Sequence, residues 1–350
     1  MQTDIIGWDI GGAHLKAAHI QAKTGAINVY QKPCPLWKGK DKLRDAAKDI
    51  LSQTTSANIL HVITMTGELV DLFAGRDDGV KQILAVMDEL LPDKNTMVYT
   101  GKDGLLKLAD VKLKHYASIA SANWLASATW TAQQLGGGLF VDIGSTTTDI
   151  LLLNDGKVLA EGYSDYERLI SQELIYTGIV RTPVMAVAQS VYDQGKHIGV
   201  MAEYFATMAD VYRITGALQE QHDQTDTADG AEKTASASGR RLARMLGCDY
   251  ADDEFDRWQR VAENIRDQQL QRIKNACDQQ LRRTELGKDR PVIGAGIGRF
   301  LVKQIALDLS RPYVDFAELF SGMGEQCNYD VADCAPAVAV ACLVAHSINE

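Results

Sequence analysis

Two stretches of this chain share one design: "WDIGGAHLK" (Trp8–Lys16) and "VDIGSTTTD" (Val141–Asp149) each place an Asp-x-Gly turn at the end of an apolar run. Few folds need a buried strand that delivers a carboxylate and glycines into a tight turn, and fewer need it twice. Glycine lets the backbone approach an anion closely, and successive N–H groups in such a turn form an anion-binding concavity. Asp9 and Asp142 supply carboxylates at the strand ends, suited to Mg2+ held through its water shell. Gly11, Gly12 and Gly144 shape the turns, Ser145, Thr146 and Thr147 add hydroxyl donors, and Lys16 adds a point charge that can fold over phosphate. One such hairpin is common in β proteins. Two, followed by a third glycine turn "IGAGIG" (Gly294, Gly296, Gly298), make a far more specific pattern. "GAGIG" matches only part of a dinucleotide fingerprint, because Arg299 stands where its third glycine belongs. Its position near the C-terminus also argues against a Rossmann unit.

The spacing predicts strands and helices in alternation. "DIIGWDI", "HLKAAHIQA" and "KTGAINVYQ" read as three strands joined by Gly-Gly and Thr-Gly turns. "GGLFVDI" and "DILLLNDGKVLAEG" repeat the plan, with Asn154-Asp155-Gly156 as a hairpin turn. Between the copies lie a helix ("DKLRDAAKDILSQ"), a buried strand ("ANILHVITM") and a helix stopped by Pro92. A short strand ("TMVYT") and a small-residue helix ("SIASANWLASATWTAQQLGGG") follow. Such an order implies sheets covered by helices. Residues 165–290 read as mostly helical, with Phe255, Trp258, Ala262 and Ile265 at core spacing. Gln219–Thr234 carries five acidic residues against one lysine and is expected to be a solvated or partly mobile loop, without the ligand spacing of an EF-hand. "RPVIGAGIGRFLVKQIAL" reads as strand, turn and helix, and "DCAPAVAVACLVAHSI" as an apolar closing helix.

Composition narrows the partners. A chain of 350 residues with a net charge of -10 suits two domains and lacks the basic stripe that a nucleic-acid backbone requires. No uninterrupted apolar run approaches the ~18 residues of a membrane span, and the N-terminus passes directly into a strand rather than a basic leader. The six cysteines (Cys34, Cys248, Cys277, Cys327, Cys334, Cys342) form no C-x-x-C pair, and the histidines, His14 included, show no ligand spacing. A cytoplasmic protein with reduced thiols, a monomer or homodimer with no nucleic-acid or membrane partner, is expected.

The order of two Asp-Gly hairpins and a late Gly-x-Gly-x-Gly turn resembles the actin / sugar kinase / Hsp70 ATPase superfamily. "DIGGAHLK" has the D-x-G-x-x-x-x-K spacing of its first phosphate loop, "DIGSTTTD" is similar to the second, and "IGAGIG" falls where its adenosine loop lies. The resemblance spans nearly the whole chain. It implies two RNase H-like (actin-like ATPase) α/β domains around a central phosphate-binding cleft. Residues 1–118 with the helix 333–350 would form the first. Residues 119–332 would form the second, with a helical insertion at about 165–290. "TMTGELVDLF", "YTGIVRTPV" and "EYFATMADVYRITG" look like a compact hydantoinase A-like branch linked to tetrahydromethanopterin-dependent one-carbon metabolism and methanofuran biosynthesis.

That branch implies a transferase. An aminomethylfuran methyl diphosphate would lose diphosphate to Mg2+ and the loops while the phenol oxygen of a tyramine- or tyrosine-type partner takes its CH2. Asp9 and Asp142 would serve the metal, Lys16 the leaving phosphate (or stand as an exposed strand lysine), and Ser145, Thr146 and Thr147 the phosphate oxygens. Glu68 would act as base or ammonium partner, and Asp149 as base, metal-water ligand or plain turn residue. Arg181 would pair with a substrate carboxylate or form an interdomain ion pair. An ATP-dependent kinase or hydantoinase A-like hydrolase is the alternative, in which Gly294, Gly296 and Gly298 hold adenosine and ATP is the cofactor. The same turn would also serve as scaffold. A non-enzymatic nucleotide-dependent assembly protein is the third possibility.

Overall fold

The computed structural model describes residues 3–320 and 329–349, apart from 55, 57 and 92–94. Pro92 and Cys327 therefore lie outside the described residues. Contacts group the chain into two units: Met1–Phe140, Leu151–Ser171 and Val314–Glu350, and Val141–Ile150 with Gln172–Tyr313.

The first unit is built on β1 (Asp4–Ile10), β2 (His14–Ile20), β3 (Ile27–Pro33), β4 (Ile59–Met65), β5 (Thr96–Tyr99) and β6 (Leu105–Lys107), in sheet order β3-β2-β1-β4-β5-β6. β1 to β3 are antiparallel, β4 and β5 run parallel to β1, and β6 turns back. Helices α1 (Asp41–Ser52) and α2 (Arg76–Leu90) follow the expected order, while the single helix read over residues 118–138 is broken into α3 (Tyr116–Ile119) and α4 (Asn123–Leu135). Alternation along β1 decides everything that follows. Ile6, Trp8 and Ile10 enter the core with Leu43 and Ile50 of α1 and Val80, Ile83 and Met87 of α2. Ile5, Gly7 and Asp9 therefore face the other way.

That second face is covered by the closing helix. A Cβ on Gly7 would lie 2.0 Å from the Ala337 carbonyl, so only glycine lets this helix sit so close to β1. The window Val331–Ile348 has the length and mean hydropathy (1.8) of a membrane span, but 83% of it is buried within the fold.

The second sheet contains β7 (Gly138–Ile143), β8 (Thr148–Asn154), β9 (Lys157–Val158) and, beyond helix α5 (Asp165–Ser171), β10 (Leu174–Ile175). A small separate hairpin, β11 (Ser190–Asp193) and β12 (Lys196–Gly199), follows. Helices α6 (Met208–Ile214), α7 (Ala235–Met245) and α8 (Phe255–Leu281) precede β13 (Val292–Ala295), α9 (Arg299–Asp308) and β14 (Tyr313–Asp315), and α10 (Ala335–Asn349) closes the chain. The order is β10-β8-β7-β13-β14 with β9 on β8, and the division between units runs through β7, β8 and β14. Asp155 (φ 50°) and Gly156 (φ 72°) form the β8–β9 turn where it was expected.

The stretch 165–290, read as mostly helical, also holds strands that the reading did not include. "SVYDQGKHIG" pairs as the β11–β12 hairpin, turned by Gln194 (φ 47°) and Gly195 (φ 81°), whose two positive φ values suit a tight two-residue hairpin turn. The acidic segment 219–234 is largely exposed, as its composition suggests, but it is tied down by ion pairs. Arg213 donates to Glu220 at 2.9 Å and to Asp223 at 2.6 Å, while the fully buried Arg241 donates to Asp229 and Asp210, both at 2.8 Å. The arginines that recruit these acids stand on α6 and α7, too far along the chain for a local reading.

Candidate functional site

The two Asp-Gly turns have the same backbone. Gly11 N–H donates to His14 O at 3.0 Å, and Gly144 N–H donates to Thr147 O at 2.9 Å. In each, the glycine opens a four-residue turn just past the strand, two residues after the aspartate.

In the first unit, Asp9 lies directly opposite Lys16 across the β1–β2 register, so both side chains share the α10 face. Asp9 is buried, and Asn123 at the start of α4 donates to its Oδ1 at 3.3 Å. Lys16 Nζ donates to the Asp333 carbonyl at 2.6 Å, at the turn leading into α10. Gly67 fits against this loop: its absent Cβ would lie 3.1 Å from Ile10 O and 3.2 Å from the Gly11 carbonyl carbon. Gly67 thereby brings its neighbour Glu68 beside the first turn.

Glu68 is 1% exposed. Its Oε1 accepts from Ser121 Oγ at 2.7 Å, and its Oε2 has no partner among the described residues. Burial pushes its carboxyl above the usual range, with the Ser121 hydroxyl pulling part of the way back. Ser121 Oγ also lies 3.3 Å from Asp165 Oδ2, which Arg76 holds at 2.5 Å from the start of α2. Ser121 takes φ 51°, an uncommon conformation for a residue with a side chain. Gly79 allows α2 to rest on this turn, because a Cβ there would stand 2.4 Å from Glu68 O. Beside it, the buried Arg168 guanidinium stacks 3.9 Å from the Trp124 ring centroid.

In the second unit, Asp142 ends β7 and is almost fully buried. The stretch 177–182 braces the loop after it. Val180 and Arg181 N–H groups donate to Ser145 O at 3.1 and 2.9 Å, and Ile179 N–H to Gly144 O at 3.0 Å. Gly178 is pressed flat on the loop, for its Cβ would lie 2.5 Å from both Ser145 C and Thr146 N. Arg181 donates to Thr146 Oγ1 at 3.4 Å. Gln269 of α8 fixes the brace, donating to Thr177 Oγ1 at 2.7 Å and Gly178 O at 2.9 Å. Ser145 Oγ is buried and has no partner among the described residues. Asp149 sits in β8, in register with Leu174 of β10.

The late glycine turn belongs to the same neighbourhood. Gly296, at φ 76°, has no room for a Cβ, which would meet Asp142 Oδ1 at 2.3 Å. A Cβ on Gly298 would meet Ile143 Cγ2 at 2.4 Å, and one on Gly294 would meet the Tyr313 ring at 2.8 Å. Contacts within the unit thus account for all three glycines without an adenosine. Among the described residues no group of three His, Cys, Asp or Glu side chains converges as a metal cage.

Ser121, Asn123, Asp165, Arg76, Gly79 and Gln269 were not singled out by sequence. An interior helical glycine, costly by propensity, was the available clue for Gly79. The others carry no local pattern.

The model of the hydantoinase/oxoprolinase family matches residues 60–327. The chain belongs to the hydantoinase/oxoprolinase family. It is 32% identical over 312 residues to the (4-{4-[2-(gamma-L-glutamylamino)ethyl]phenoxymethyl}furan-2-yl)methanamine synthase of Methanocaldococcus jannaschii, covering 88% of this chain and 90% of that protein. It is 27% identical over 215 residues to the Methanococcus vannielii protein of that name, covering 60% of this chain and 92% of the other. Among solved structures, the nucleotide-free structure of an ATP-dependent acetone carboxylase aligns with TM-score 0.54 at 10% identity, over 97% of this chain and 70% of that one. This last likeness bears on fold alone. The architecture is a mixed α/β fold with two helix-covered six-stranded sheets, shared with that carboxylase.

Proposed function

We propose that this family member is an enzyme of furan-cofactor biosynthesis that joins an aminomethylfuran methyl diphosphate to a tyramine- or tyrosine-type phenol. The observation that carries the reading is the likeness to the archaeal synthase along nearly the full length of both chains. The "phenoxymethyl" linkage in that relative's product is an aryl ether between a phenol oxygen and a furan-borne CH2. Making that bond on an activated furan breaks CH2–O(diphosphate), forms O–CH2 and releases one phenolic proton.

A furan-stabilised carbon gives up its leaving group with developing positive charge, so the barrier lies in the departure of diphosphate. The Gly11 and Gly144 N–H groups close their own turns, but the Thr146 hydroxyl and Ser145 Oγ, which has no partner among the described residues, suit oxygens that gain negative charge as that bond breaks. Asp9 and Asp142 would hold Mg2+ through its waters. When bound, the metal would neutralise charge on the diphosphate. Lys16 and Arg181 add cationic groups near the two turns, and Arg181 suits a carboxylate on the phenolic partner.

The test measures diphosphate and phosphate released by the purified protein with Mg2+, given either the furan diphosphate with the phenol or ATP. Diphosphate is expected only when furan and phenol are both present, with a loss of about 100-fold or more in Asp9→Asn and Asp142→Asn. ATP turnover indifferent to the furan would overturn the reading and move the protein to an ATP-driven reaction.

A further inference from the structure

The reaction above leaves one proton to be placed. We propose that Glu68 takes that proton from the attacking hydroxyl and that Ser121 is its positioning residue, the Ser121 hydroxyl turning from Glu68 to Asp165 as Glu68 becomes protonated. This rests on the proposed transferase reading for its substrate, and on geometry for its residues.

Several observations converge. Glu68 is 1% exposed, and Oε2 is without a partner among the described residues although Oε1 is held at 2.7 Å. A buried oxygen left without a partner is disfavoured, and folds retain such groups at working sites. The Gly67 turn packs on Ile10 and Gly11, so the backbone that carries Glu68 is held beside the first Asp-Gly loop. The segment that holds it, residues 121–123, also donates through Asn123 to Asp9.

Ser121 has one hydroxyl proton and two acceptors in reach, Glu68 Oε1 at 2.7 Å and Asp165 Oδ2 at 3.3 Å. While Glu68 is a carboxylate, the shorter bond wins. Once a proton occupies Glu68, its acceptor strength falls and the Asp165 carboxylate becomes the better partner. The positive φ of Ser121 places the hydroxyl between the two acids and is the kind of backbone strain that working sites retain. The charged groups facing Glu68 are Arg76 from α2, which favours the carboxylate, and Asp165 from α5, which opposes it. Arg76 is already engaged with Asp165, so a proton on Glu68 leaves no new unpaired charge. In the reaction the phenol O–H bond breaks, its electron pair forms the O–CH2 bond, the CH2–O(diphosphate) pair leaves with diphosphate, and the proton rests on Glu68.

Two measurements test this, one without turnover. An infrared difference spectrum between the protein and its Glu68→Gln variant, followed with pH, reads the protonated-carboxyl C=O band of Glu68 directly. The band is expected to persist above the ordinary glutamate range, about 4.3. Its midpoint should move to higher pH in Ser121→Gly, because that variant removes a donor to the charged form while relieving the positive φ. A band that vanishes at the ordinary value, or a midpoint unmoved by Ser121→Gly, overturns the proposal whatever reaction the enzyme runs. The second measurement is turnover. Glu68→Gln should lose about 100- to 10,000-fold in kcat with diphosphate binding intact, and the acidic limb of kcat/KM should move upward in Ser121→Gly. Full turnover in Glu68→Gln overturns the role of base. Loss of furan diphosphate binding instead would make Glu68 a partner for the substrate ammonium and likewise overturn it. Failure of the wild type to release diphosphate, with the infrared result intact, falls on the transferase reading alone.

Discussion

Glu68 carries a thermodynamic consequence that is separate from catalysis. Its folded carboxyl titrates above the unfolded value of about 4.3 because burial disfavours the charge. A raised acid contributes no penalty at low pH. Stability is then lost as pH rises from about 4.3 through the folded value, because the unfolded chain gives up its proton first. Glu68→Gln removes this loss. Its melting temperature should exceed the wild type's near pH 8 and match it below pH ~4. Melting curves at both pH values check this, and equal curves at pH 8 would contradict it. Gly296 shows the opposite economy. Its φ of 76° and the Asp142 carboxylate 2.3 Å from its missing Cβ make glycine obligatory for reasons of packing.

At the scale of elements, the second loop owes its shape to the stretch 177–182 laid over it. Gly178→Ala would place a methyl 2.5 Å from the backbone of Ser145 and Thr146, atoms that cannot swing aside as a side-chain tip can. The loop must move. About 1–3 kcal/mol of stability and at least 10-fold in turnover are expected to go. Gly199→Ala is the matched control, because nothing lies within 4 Å of the Cβ it adds. Melting temperature and diphosphate release measured on both variants decide the matter, and two variants alike would remove the bracing role. The strand-turn-strand pattern of β1–β2 and β7–β8 was legible because alternation, Asp-x-Gly and the following glycines are local. The brace was not legible. Its glycine looks ordinary in "YTGIVRTP", and the Gln269 that fixes it stands far along the chain on α8.

For the molecule as a whole, ligand linkage gives a test that needs no substrate. If both turns serve a diphosphate, Mg2+ with inorganic diphosphate binds the folded chain and not the unfolded one. Saturation at about 100 times Kd should then add about 2.7 kcal/mol of stability. The melting temperature should rise in the wild type and stay unmoved in the Asp9→Asn, Asp142→Asn double variant. A wild type that ignores diphosphate but responds to Mg2+ with ATP would favour the ATP-driven alternative. A net charge of -10 works against such an anion at long range, so the local N–H groups must carry the binding.

The sequence by itself determined the strands around the two Asp-Gly turns, the turns themselves, the glycine turn near the end and the family. Each depends on residues within about one turn or one strand of each other, where steric rules and periodicity act directly. Tertiary structure alone decided what these pieces do for one another. Alternation along β1 puts Asp9, Lys16 and α10 on one face. A helical glycine admits Glu68 to a buried corner, and a serine from a separate segment meets its carboxyl there. Composition marked the segment 219–234 as acidic and solvated but not its partners: arginines on α6 and α7 hold Asp223, which is buried, and Asp229. Charge pairing and burial depend on what arrives from elsewhere in the chain, and that is fixed only once the chain has folded.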